Sequence, residues 1–488
     1  MKIKRLLALL LSLCLAAALA APAMAVEEAL EEAVVLEEEP AALTPSAAPE
    51  EAQAPEEAAT PEEAPAAQAA SGTCDCGEVV QVFVKGFLHP LYYNYGTDQQ
   101  REAFVLGHFL MNDQGESVLD ITKHWLPVDV GNHAKEPEFE FLYDYRMDPF
   151  TNARQLSEFI DYLCKETGHD KVALTGMSQG TSVVTTYLVE YGCEKLETLI
   201  LISGSYQGVT VLGELLTNRL ALSAPAIINL IATLGGSPLF KAFTNLLGVI
   251  FAPLETGPSG NTKLFGGKLY DWIIMKLAGQ MPAIWTFLPA TYYTDARKLL
   301  EGDPKYDRLL KLADDYNNNI VPKVREKLQE IRDAGVKVAV IAHYGKAPIP
   351  LVKTNYKQTD ILIDTEYGSC GATVAPIGKV LSTAEINNPA YVSPDGVIDS
   401  STCALPDQTW FIKYIGHDFV PSEALRMWII HHDVEKDGYP GIKSNDEYPQ
   451  YLRLTEDKLH TEPLAEEPAP APANIGDAFR NLLAAMGI

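Results

Sequence analysis

Basic residues are in short supply in this chain. Across 488 residues, 38 Lys and Arg stand against 65 Asp and Glu, for a formal net charge of −27. A surface this acidic lacks the cations that neutralise phosphates, which argues against nucleic acid as a partner and against strong attraction to anionic membranes. It does not bear on a neutral lipid or ester. The shortage is total between residues 26 and 71, where Ala, Glu and Pro dominate and no Lys or Arg occurs. Such a stretch buries too little apolar surface to offset chain entropy, so it reads as a disordered linker. Long apolar runs are also missing beyond the start of the chain. The most apolar later stretch, 220–253, is interrupted by Pro225, the Gly235-Gly236-Ser237-Pro238 run and Lys241, and does not argue for a membrane span. Cysteine is sparse, with seven in all. Cys74-Asp75-Cys76 has no second Cys/His pair beside it in the sequence, so the spacing gives no zinc site.

The apolar run that does exist, Leu6 to Ala20, follows Lys2, Lys4 and Arg5 and precedes Ala23-Met24-Ala25. A basic start, an apolar core and a small-x-small site predict a cleavable signal peptide over 1–25 and a secreted product. Export permits disulfides, and Cys370 with Cys403 and Cys164 with Cys193 are candidate pairs, although connectivity does not follow from sequence. At the other end, a Pro/Ala/Glu spacer after about residue 460 leads to Ile475–Ile488. There Ile475, Phe479, Leu482-Leu483 and Met486 give a short amphipathic helix that docks on the body, touches a membrane or frays.

Between these ends, over 72–460, strand and helix signals alternate. Val79–Val84, Phe139–Tyr145, Lys171–Thr175, Leu196–Ser203, Val336–Ile341 and Trp410–Ile415 read as strands, the last of these closing the sheet. Asn152–Lys165, with Leu156, Phe159, Ile160 and Leu163, and Thr181–Tyr191 read as helices, and Pro421–His432 as the final one. This pattern predicts an α/β domain with a mostly parallel, doubly wound sheet. Residues 209–335 break the alternation, being mostly helical and apolar, and read as a cap inserted late in the sheet. Leu246, Leu247, Trp285 and Phe287 are its candidate substrate-lining residues.

Gly176-Met177-Ser178-Gln179-Gly180 carries the chemistry. A Gly-x-Ser-x-Gly run is common by chance, but here a buried strand leads into it and a helix leaves it, the setting of a nucleophile elbow. Ser178 needs a base and a carboxylate to orient that base. His417 follows the last predicted strand and suits the base; His343 ends the Val336 strand, and His431 and His432 lie in the final helix. Two carboxylates suit the third place: Asp360, beside Ile361-Leu362-Ile363, and Asp395, in a Pro-Asp-Gly turn nearer His417. Chain order and the apolar neighbours favour Asp360, with Asp395 the alternative.

Four stretches resemble the lecithin:cholesterol acyltransferase-like lipase/esterase branch of the α/β-hydrolase superfamily. They are Val82 to Phe87, Tyr143-Asp144-Tyr145-Arg146 with Asn152-Ala153, Lys171 to Gly180, and Met281 to Pro289. The chain departs from that family at Met177, where a His is usual, at Gln179-Gly180-Thr181, where Met-Gly-Gly is usual, and at Ser203–Gly208, which lacks the usual Pro. The resemblance implies that the backbone N–H groups of Phe87 and Gln179 form an oxyanion hole. It also implies lipid-ester hydrolysis through an acyl-enzyme with no cofactor and no metal. The alternatives are acyl transfer to another alcohol, or an inactive surface protein that binds a lipid or a partner, with weak surface association through the cap or the C-terminal helix.

Overall fold

The computed structural model describes residues 74–87, 129–217, 281–348, 356–417, 420–455 and 460–465, with single positions at 219, 279 and 354. The expected signal peptide (1–25) and 26–71 linker, Leu246 and Leu247 with residues 220–278 of the expected cap, and the expected C-terminal amphipathic helix lie outside the described residues.

Strands β1 (Gln81–Val84), β2 (Glu138–Glu140), β3 (Val172–Met177), β4 (Leu196–Ile202), β5 (Lys337–Tyr344), β8 (Thr409–Lys413), β9 (Tyr451–Leu454) and β10 (Thr461–Pro463) form one sheet. Its order is β10-β9-β8-β5-β4-β3-β1-β2. Every neighbouring pair is parallel except β9 with β10. A small antiparallel ribbon of β6 (Thr373–Val374) and β7 (Ile398–Asp399) stands apart.

The strand sequences show why both faces are covered. In β4, Leu199 and Leu201 point to one side and Ile200 and Ile202 to the other, as the two-residue strand period requires. The first side packs on Leu156, Phe159 and Leu163 of helix α1 (Pro149–Thr167), Val183, Val184 and Tyr187 of α2 (Gln179–Tyr191), and Leu328 and Ile331 of a later helix, Val324–Asp333. The second side packs on Leu425, Ile429 and Ile430 of the helix Glu423–Ile430. A sheet buried on both faces takes unbroken apolar runs such as Leu199 to Ile202, and parallel strands need such cover. This is the α/β architecture with a mostly parallel central sheet that the alternating pattern predicts.

Two expectations are corrected. Thr409–Lys413 does not close the sheet, because β9 adds beside it in parallel and β10 folds back on β9. Tyr451–Leu454 is only four residues long, with Arg453 and Leu454 half-buried, and the three residues of β10, ending in Pro463, take the edge. The helix Val324–Asp333 also belongs to the body and not to a cap. Its Val324, Leu328 and Ile331 face α2 and the sheet, as the crossover between β4 and β5. The rest of the inserted segment that is described, α3 (Thr210–Leu216) and the helices Ala290–Arg297 and Asp307–Asp315, packs around the 3₁₀ turn Pro282–Phe287.

The strand order reverses between β1 and β3, since β2 lies outside β1 while β4 lies beyond β3. In open parallel sheets the crevice at the carboxyl ends of strands beside such a reversal is where ligands bind. The residues that leave β1 and β3 there are Gly86, Phe87 and Ser178.

Candidate active site

Ser178 joins β3 to α2 with φ 53° and ψ −125°, a conformation that β-carbon sterics disfavour and that surrounding bonds must hold. Those bonds converge on its own carbonyl, which accepts from Thr181 N (3.0 Å), Thr181 Oγ1 (2.6 Å) and Ser205 Oγ (3.0 Å). Ser205 N in turn donates to Thr181 Oγ1, and Ser182 and Ser205 share a hydroxyl bond. Sequence reasoning missed Thr181 and Ser205 as supports of the elbow. The available signal was Ser203-Gly204-Ser205, a polar run directly after a buried strand. Close approach completes the turn. A β-carbon on Gly180 would lie 1.9 Å from the Val84 carbonyl oxygen, and one on Gly86 would lie 2.8 Å from Ser178 Cβ. Both positions need the missing side chain.

The structure places Ser178, His417 and Asp360 in one hydrogen-bonded line. His417 Nε2 is 2.8 Å from Ser178 Oγ, and His417 Nδ1 is 2.7 Å from Asp360 Oδ2. The three are 6%, 9% and 1% exposed. The second oxygen of Asp360 accepts from the N–H groups of Leu362 (3.0 Å) and Ile363 (2.7 Å). Burial raises the proton affinity of Asp360. The His417 charge and hydrogen bond, His343 and the Ile363 N–H outweigh that, and its pKa lies below the usual value. The carboxylate is thus ionised wherever a neutral imidazole would need orienting.

Asp395 does not reach this line. It accepts from Ser393 Oγ (2.5 Å) and Tyr344 Oη (3.1 Å) and pairs with Lys413 (3.0 Å). The Pro-Asp-Gly turn presents its carboxylate inward, to Lys413, the last residue of β8. The remaining histidines are also elsewhere. His343 is buried between Ser203 Oγ and Ser422 Oγ, each at 2.9 Å, and burial drives its pKa down to about 4. His431 is exposed, and His432 meets the Gly438 carbonyl.

The residues that would hold an oxyanion flank Ser178. Gln179 is the first residue of the 13-residue helix α2. Its N–H is one of the helix-start donors that no intrahelical carbonyl satisfies, and the helix dipole favours negative charge there. Gly86 abuts Ser178, so the Phe87 turn borders the same space. The Phe87 ring stacks edge-on against Tyr145 (4.7 Å between centroids) and Phe287 (5.8 Å). The Tyr143–Arg146 loop secures this turn. Tyr143 Oη donates to the Lys85 carbonyl, Arg146 and Asp144 form a buried ion pair, and Ala283 N donates to the Arg146 carbonyl. Of the two described cap residues, Phe287 meets Phe87. Trp285 is buried against Tyr293 in the main core, a packing position.

The described cysteines are all thiols, including Cys370 and Cys403, whose burial pushes both up to about 12, and Cys164 and Cys193. Cys74 and Cys76 do acquire histidine neighbours in space, which the sequence spacing does not show. No family model and no curated protein matches this chain, so the chemistry of the site is read from its own residues.

Proposed function

We propose that this chain is a serine carboxylic ester hydrolase of the α/β-hydrolase fold, exported from the cell, acting on lipid-like esters, and similar to the lecithin:cholesterol acyltransferase-like lipases. One observation carries the reading: Ser178 Oγ, on a strained strand-to-helix turn at the carboxyl end of β3, lies in hydrogen-bonding line with His417 and Asp360.

The geometry supports a complete reaction. His417 Nε2 takes the Ser178 proton as Oγ adds to the ester carbonyl. The carbonyl oxygen becomes an oxyanion beside the Gln179 and Phe87 N–H groups. The tetrahedral adduct collapses by breaking the bond to the alcohol, which leaves with the proton from Nε2. Water then adds to the acyl-Ser178 carbonyl, giving its proton to Nε2. The second collapse frees the acid and returns the proton to Ser178. Asp360 remains ionised throughout, holds Nδ1–H and stabilises the imidazolium. Phe87, backed by the buried Tyr145 and Phe287 rings, sets an aromatic side chain beside the Ser178 turn, which suits an apolar acyl group.

A fluorophosphonate probe tests this directly. It should label Ser178 alone, and Ser178→Ala should abolish both labelling and cleavage of p-nitrophenyl esters, with a loss in kcat on the order of 10⁴ or more. Labelling that survives in Ser178→Ala would overturn the assignment.

A further inference from the structure

A second cluster of reactive side chains lies at the opposite ends of the same strands. Cys74 and Cys76 sit in the segment that enters β1. His133 lies in the turn that precedes β2, and His169 follows the Gly168 cap of α1, just before β3. The four come from distant parts of the chain, with 59 residues separating Cys74 from His133 and 93 separating Cys76 from His169. Cys74 Sγ is 3.4 Å from His133 Nε2, and Cys76 Sγ is 3.5 Å from His169 Nε2. The two imidazole rings meet edge-on with centroids 5.4 Å apart. The ligand atoms of Cys74, Cys76 and His169 all lie within 4.8 Å of one another. All four residues are half-buried.

We propose that Cys74, Cys76, His133 and His169 form a tetrahedral, structural Zn²⁺ site that fastens the entry of β1 to the α1–β3 connection and to the approach to β2. Dimensions favour it. Zn–S bonds of about 2.3 Å and Zn–N bonds of about 2.0–2.1 Å at tetrahedral angles put S and N about 3.6 Å apart, close to both observed separations. Tautomer favours it as well. His133 Nδ1 lies 2.9 Å from the Val130 carbonyl. An N–H donated there leaves the Nε2 lone pair facing Cys74, the outer-shell arrangement that orients a metal-bound histidine. His169 Nε2 lies 3.2 Å from the Glu78 carbonyl, while its Nδ1 is buried with no hydrogen-bond partner. Nε2, the nitrogen that faces Cys76, is the ligating atom, and its contact with Glu78 gives way to the metal. The donor set selects the ion, because two thiolates and two imidazoles suit Zn²⁺ and reject Mg²⁺ and Ca²⁺. Four protein ligands close the shell and leave no position for a substrate, so the role is structural. The Cys74 N–H already donates to the Gly168 carbonyl at 2.9 Å, along the same junction.

The test uses untagged full-length protein and needs no enzymatic readout. As purified it should carry one zinc per chain, with two sulfur and two nitrogen neighbours by X-ray absorption. Co²⁺ titrated into the reduced, metal-free chain should give a thiolate-to-cobalt charge-transfer band that saturates at one equivalent. Cys76→Ser, His133→Ala and His169→Ala should each weaken Co²⁺ binding by more than about 100-fold, and chelation should lower Tm until stoichiometric Zn²⁺ restores it. Circular dichroism of each variant separates ligand loss from misfolding, and the wild-type titration stands without any variant. Absence of the band at stoichiometric Co²⁺ would overturn the site. So would a Cys74–Cys76 disulfide in the mature protein, or unchanged Co²⁺ affinity in His133→Ala.

Discussion

At the scale of single residues, Asp360 and Asp395 show how the same side chain takes two roles. Asp360 touches His417 and two backbone N–H groups, whereas Asp395 neutralises Lys413 beneath the sheet end. Asp360→Asn should cut kcat by up to about 10⁴ through the wrong imidazole tautomer, with Tm little changed. Asp395→Asn should do the reverse, lowering Tm while kcat per folded molecule stays near the wild-type value. Steady-state kinetics on protein quantified by calorimetry separates the two. Gly86 gives a finer probe. Its added methyl in Gly86→Ala would meet Ser178 Cβ at 2.8 Å and Oγ at 3.1 Å. Displacing the nucleophile by a fraction of an ångström should lower kcat on the order of 10²-fold, while fluorophosphonate labelling slows without disappearing. His343 should govern acid stability. The folded protein keeps this ring neutral down to about pH 4, whereas the unfolded chain protonates it near 6.5. Between those values the unfolded state binds more protons, so stability falls as pH drops through the window, by roughly 3 kcal/mol in all. Asp360 adds a loss in the same direction only below about 3.8, where its carboxylate takes up a proton in the unfolded chain. Denaturant midpoints measured from pH 7 to pH 4 should show the slope, and His343→Gln should flatten it.

At the scale of elements, legibility followed burial. The central strands announced themselves because both faces are covered and their apolar runs are unbroken, as in Leu199 to Ile202. The elbow was legible because Gly180 and Ser178 answer to local backbone demands. The strands β9 and β10 were not, because four and three residues are too few to give a periodic signal. The cap was legible only as a change in pattern. Its apolar residues do not reveal which partner they face, and Trp285 and Phe287 came apart for that reason. Trp285 meets Tyr293 in the core, while Phe287 meets Phe87 beside the proposed oxyanion hole. Trp285→Ala should therefore cost about 3–5 kcal/mol of stability and slow short and long acyl esters equally, as measured by kcat/KM across a p-nitrophenyl series at a temperature where the variant remains folded. The cysteines and histidines at the start of β1, β2 and β3 were illegible for a different reason. Metal ligands in a fixed short motif can be read from spacing, but His133 and His169 reach Cys74 and Cys76 only through the parallel register of three strands.

At the scale of the whole molecule, function is proposed at one end of the strands and a metal fastening at the other, and no described helix is long and apolar enough to cross a membrane. The sheet order has a further consequence, in time. Strand β1 is an early element of the chain yet lies inside the sheet, paired with Ala173–Gly176, so it has no parallel partner on that side until nearly a hundred more residues exist. Ser178 precedes His417 by 239 residues. At a synthesis rate of about 5–20 residues per second, the serine leaves the ribosome roughly 12 to 48 s before its base. On the proposed function the nucleophile is unarmed during that interval, and a chain that stalls, is clipped or folds only its first half would carry the elbow without the means to ionise it. On the proposed function, turnover begins only when the carboxyl-terminal third has docked, which would make the first appearance of activity a clock for the last long-range closure in folding.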